Sequence, residues 1–71
     1  MCVAIPARIV QIEDDTATVD IGGSQSTARV DLIEEVAVGD YVLVHAGFAI
    51  TVVDEEHARE TLALLREAGL L

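Results

Sequence analysis

The strongest constraint on this chain is the way its apolar residues alternate in short runs between turn signals. Ala17, Val19 and Ile21 alternate with Thr16, Thr18 and Asp20, the period of two expected of a strand covered on one face. Gly22-Gly23 follows, two positions free to take positive φ and so suited to a tight hairpin. The return run repeats the alternation, with Ala28, Val30 and Leu32 set against Thr27, Arg29 and Asp31. The centre of the chain therefore reads as a hairpin.

Strands are predicted on both sides of it. Val3 to Ile12 is rich in β-branched residues, with Pro6 confined to the start or edge of that strand. Glu13-Asp14-Asp15 reads as a polar turn, and Gly39-Asp40 as another. Tyr41 to Ala46 and Phe48 to Val53 are apolar at nearly every position, which predicts cover on both faces. Gly47 interrupts them and predicts a bulge, a bend or a close backbone approach. Five or so short strands, with turns every 8–12 residues or roughly so, predict a small barrel, OB-like or SH3-like, because closure removes exposed sheet edges.

The period then changes. Asp54 is a helix N-cap, and Glu55 and Glu56 put negative charge in the first turn, where the helix dipole favours it. Ala58, Leu62 and Leu65 form a narrow apolar stripe, Glu55 and Arg59 are spaced to pair, and Gly69 is placed to end the helix. The fold class is therefore mainly β: a five-stranded barrel over about 1–53, then a C-terminal α-helix over about 54–68, in one domain spanning 1–71. Such a helix must dock on its own barrel or on a partner.

Size and charge narrow the function. A chain of 71 residues has room for one core, and burial in a domain of about 60 residues covers only ~60% of the unfolded surface. A single cysteine forbids an internal disulfide and points to a reducing compartment. Four arginines, no lysine and 13 acidic residues give a formal net charge of -9. That balance opposes phosphate backbones and anionic membrane surfaces. No signal peptide and no apolar run long enough to span a bilayer is seen, so a soluble cytoplasmic protein is expected.

Few residues can carry chemistry. Cys2 stands where removal of Met1 would make it the first residue, and its free α-amino group would then help stabilise the thiolate. By strand alternation His45 shares a face with Tyr41 and Leu43, where a core role competes with a ligand role. His57 falls in the first helical turn and reads as solvent-facing. The acidic pairs lie at element ends and read as turn and cap residues. There is no Gly-rich phosphate loop, CxxC or HExxH. Cys2 with His45 lacks the oriented third group that nucleophilic catalysis needs, so an enzyme is not expected. A closed zinc site wants four protein ligands, more soft donors than the chain offers. An incomplete set is what a metal-transfer protein requires.

At Met1-Cys2-Val3-Ala4-Ile5-Pro6 the chain resembles the amino terminus of the HypC/HupF family of nickel–iron hydrogenase assembly chaperones. Gly39 to Ile50 resembles that family's second motif, and Val53-Asp54-Glu55-Glu56 with Glu60-Thr61-Leu62 resembles the start of its terminal helix. The resemblance implies a five-stranded OB-like barrel with a terminal helix. It also implies a role in assembling and transferring the Fe(CN)2CO group, with iron as transient cargo. The expected partners are a HypD-type maturation protein and the hydrogenase large-subunit precursor, met by a free chain that is monomeric. On the family pattern Cys2 and His45 hold iron shared with a partner, and Cys2, Ala4, Ile5 and Pro6 form the partner-binding segment. The competing readings are a barrel-type interaction module with no metal role, a cysteine-dependent enzyme, and a nucleic-acid-binding OB domain. The last is opposed by charge and by two aromatics for base stacking.

Overall fold

In a computed structural model that describes residues 4–70, the chain folds as five strands and one helix. The strands are β1 (Ile5–Glu13), β2 (Thr16–Ile21), β3 (Ser24–Arg29), β4 (Tyr41–His45) and β5 (Phe48–Val53), followed by α1 (Glu55–Glu67). They close a barrel in the order β1-β2-β3-β5-β4, as the sequence predicts. Strand β1 makes closure possible by serving two neighbours: Ile5 to Arg8 pair with β4, and Arg8 to Glu13 with β2. Its register slips between Ile9 and Gln11, a bulge at Val10 that bends the strand between the two pairings.

The alternation predicted for the central hairpin sets its inward face. Ala17, Val19 and Ala28 are buried, with Ile9, Ala7, Val42 and Ala49 completing the core. Four of these are alanines, small enough to let five strands converge around so little volume. Gly22 and Gly23 take φ of 56° and 100°, the two positive values of a type I′ hairpin turn. The Asp20 carboxylate accepts the Gly23 N–H at 3.0 Å and fixes that turn.

Four expectations need correction. Leu32 does not continue the return strand: β3 ends at Arg29, and Leu32 is 62% exposed. The Val30 N–H still donates to the Asp15 carbonyl at 2.8 Å, in register with the β2–β3 pairs, but the partner strand stops there at the Asp14-Asp15 turn and leaves Leu32 nothing to pair with. Val30 is itself part of the buried core, and Ile33 and Val36 pack against it. Glu13 belongs to β1 rather than to the turn, which is made by Asp14 and Asp15. Strand β5 is not covered on both faces, since Phe48, Ile50 and Val52 are exposed. Gly47 marks neither bulge nor bend but a hairpin turn, while the nearby bulge falls at Ile50, where the β4–β5 register shifts. Val3, predicted to begin the first strand, lies outside the described residues.

The helix follows its predicted signals closely. Asp54 is the N-cap, and its carboxylate accepts the His57 N–H at 3.3 Å. Arg59 pairs with Glu55 at 3.2 Å. At the other end, Gly69 (φ 77°) donates to the Arg66 carbonyl, and Leu70 to that of Leu65 at 2.8 Å, a Schellman termination. Ala58 is buried, while Leu62 and Leu65 are half-buried. Its contacts with β1 settle the docking of the free chain on the barrel. The Arg66 guanidinium reaches across to the Gly22 carbonyl at 3.1 Å, latching the helix end to the β2–β3 turn.

The turn between β4 and β5 stores strain. Ala46 and Gly47 take φ of 53° and 84°, and only glycine adopts that region without cost. For an L-residue the left-handed conformation costs about 1–2 kcal/mol. Packing holds Ala46 there: the Arg29 N–H donates to the Gly47 carbonyl at 2.8 Å, tying the turn to β3. Ala46→Asn is expected to raise stability by about 0.5–1 kcal/mol, because asparagine tolerates this region through local hydrogen bonds. Thermal unfolding of the variant checks this, and a lowered midpoint would show that the turn is not strained.

Candidate functional site

His45 lies at the end of the barrel where β1 begins. Antiparallel pairing of β1 with β4 sets Ile5 against Val44, Pro6 against Leu43 and Arg8 against Tyr41. The start of β1 therefore runs beside the end of β4, where His45 is the last residue before the strained turn. Alternation puts Tyr41, Leu43 and His45 on one face of β4, the face toward which α1 packs. His45 is half-buried and pairs in register with Phe48. Cys2, the residue expected to carry iron, lies outside the described residues.

The members of the expected partner-binding segment sit differently from one another. Ala4 is exposed and Ile5 half-buried, whereas Pro6 is buried. Pro6 forms part of the floor of an open cleft of about 350 Å3 between the helix and the barrel, lined by Pro6, Leu43, Val53, Asp54, His57, Ala58 and Thr61. Proline suits this place, since it has no N–H to leave unpaired. His57 is exposed, as expected, and its side chain contributes to the rim.

Electrostatics along the helix are local. The Tyr41 hydroxyl and the Glu55 carboxylate raise the Arg59 guanidinium above its ordinary value, which links the first helical turns to β4. On the far side, Arg29 and Asp31 form a two-point ion pair of 3.2 and 3.1 Å, and the Asp31 carboxyl is held below its ordinary range by those hydrogen bonds. Both groups are exposed, so the pair adds little to stability.

What the site can do follows from its donors. Among the described residues no three His, Cys, Asp or Glu side chains converge closely enough to hold a metal ion. His45 stands at the end of β4, outside the lining of the cleft. The strand β2–β3 surface, where OB barrels bind oligonucleotides, carries a polar cleft of about 390 Å3. Glu13 and Asp14 line it together with uncharged residues and no arginine, a poor match for phosphate. Among the described residues, no helix is long and apolar enough to cross a membrane.

Two features of the site escaped the sequence. The cleft joins residues of β1, β4 and the helix, far apart in the chain, and no local pattern announces such a meeting. The left-handed Ala46 was hidden because alanine is not a turn residue, although Gly47 beside it was a usable signal.

Comparison with known proteins places these features in a family. The family model described as HupF/HypC family matches residues 1–65. A protein of Azotobacter chroococcum named hydrogenase maturation factor HypC is 50% identical over 72 aligned positions, covering 100% of this chain and 86% of its own. The protein of the same name from Synechocystis is 45% identical, covering 99% of this chain and 100% of its own. That of Escherichia coli K12 is 38% identical, covering 93% and 80% respectively. With its first 65 residues matched by the family model and its whole length by such relatives, the chain belongs to the HupF/HypC family.

Proposed function

We propose that this protein is a hydrogenase maturation factor that holds an iron group transiently through Cys2 and His45 and passes it on within a complex. The observation that carries the reading is the juxtaposition of the start of β1 with the end of β4, Ile5 against Val44. Consecutive Cα atoms are about 3.8 Å apart, so a residue two places before Ala4 stays within roughly 8 Å of it. A thiolate from residue 2 can therefore approach the imidazole of His45. The chain is not an enzyme: its relatives are named as maturation factors.

Iron here is cargo. An Fe(CN)2CO group brings its own cyanide and carbonyl ligands, and a thiolate with one imidazole holds it at open positions. A closed four-ligand site would trap the metal, whereas an open one can exchange it. The α-amino group at a processed terminus, titrating near ~8 beside a thiol of ~8.5, supports the thiolate form that binds metal. The partners proposed are a HypD-type maturation protein and the hydrogenase large-subunit precursor, met in the cytoplasm by a monomeric chain. The metal-free interaction module remains the competing reading, and the same variants separate the two.

Cys2→Ala is expected to keep the wild-type melting temperature and to abolish hydrogenase maturation in a complementation assay. Full maturation by that variant would remove the thiol from the mechanism. His45→Gln preserves polarity and approximate size while deleting the imidazole. It is expected to lower the iron content of the partner complex severalfold at unchanged melting temperature. Iron that falls only in step with the folded fraction would assign His45 to the core instead.

A further inference from the structure

The cleft between α1 and the barrel has an occupant that its chemistry defines. Its floor is apolar, made by Pro6, Leu43, Val53 and Ala58, and its rim is polar, with Asp54, His57 and Thr61. At about 350 Å3 it lies at the small end of the range for ligand pockets, roughly 300–1,000 Å3. That volume suits one or two side chains rather than a folded element. No arginine lines it, so an anionic metabolite would meet no compensating cation. Asp54 is the acidic residue of the rim, and the whole chain carries -9. A second copy of the same chain would bring like charge to the contact, which disfavours self-association.

We infer that this cleft is the anchor pocket for an apolar side chain carried on a basic segment of the maturation partner. The inference rests on the proposed maturation role and assigns it a docking point. Anchors of this kind, buried in a preformed pocket and ringed by polar contacts, carry most of the energy of many protein interfaces. Asp54 at the rim and the net charge of -9 attract the flanking Lys or Arg of the incoming segment and speed encounter. The position is also apt. Pro6 and Leu43 on the floor pair with each other one register step from Ile5 and Val44, so an anchored partner lies next to His45 and the start of β1.

Calorimetric titration of the purified HypD-type maturation protein into wild-type and His57→Trp protein tests this. His57 is exposed, so the larger ring fills the cleft mouth without disturbing the core, and equal melting temperatures confirm the fold. Binding at least tenfold weaker in the variant, together with wild-type affinity that falls as salt is raised, is expected. Unchanged affinity in His57→Trp overturns the pocket while leaving the maturation role standing. Wild-type affinity that rises with salt also overturns the basic-segment assignment. A wild-type protein that does not bind the maturation protein at all overturns both. Sedimentation of the free wild-type chain completes the test: a dimer that His57→Trp dissolves would give the cleft to a second copy.

Discussion

Barrel closure in this protein turns on β1, which is hydrogen-bonded to β4 along its first half and to β2 along its second. The bulge at Val10 gives the bend that allows both pairings. Around the hinge of the strand, the Ile9 N–H donates to the Asp40 carbonyl and its carbonyl accepts from Gly39, both at 2.8 Å. The Gly39-Asp40 turn thus seals the joint between β1 and β4. Ile9, Val19 and Val42 are the largest fully buried side chains, so the core is small. Backbone pairing around the closed ring supplies the specificity that the core lacks in bulk.

The same pairing builds the functional end. Because β1 starts beside the end of β4, Ile5 and Pro6 of the opening hexapeptide pair with Val44 and Leu43 of the second family motif. The strained Ala46-Gly47 turn, pinned to β3 through Arg29, holds the end of β4 in one conformation. On the proposed reading, His45 and the thiol of Cys2 would coordinate iron transiently, with the remaining ligands left to the cargo and the partner.

Much of this fold was legible in the sequence because its signals are local. The Thr16–Asp31 alternation, the Gly22-Gly23 turn, the Asp54 cap and the Gly69 stop each act over a few residues, and each marks a feature seen in the structure. Legibility failed where a long-range contact overrode the local pattern. Leu32 fits the strand alternation, but the β2–β3 pairing runs out at Val30 and Asp15, where the Asp14-Asp15 turn ends the partner strand. The apolar composition of β5 implied two covered faces, yet the helix docks over β1 rather than over it. His45 was identifiable as a candidate because its motif is contiguous. The cleft was not, since Pro6, Leu43 and His57 come from three elements.

Scarcity of donors connects structure to function. Among the described residues no cluster is competent to trap a metal, and the proposed ligand pair leaves most of the coordination sphere of iron to others. Bringing a chain end to His45 also costs ordering entropy, which an interface can offset by fixing the segment. Metal analysis after anaerobic purification, on the protein alone and in complex with the proposed HypD-type partner, measures this dependence most directly. Substoichiometric, chelator-labile iron in the lone protein and near-stoichiometric iron in the complex is the expected result. Tight, stoichiometric iron in the lone protein that survives mild chelation would contradict it.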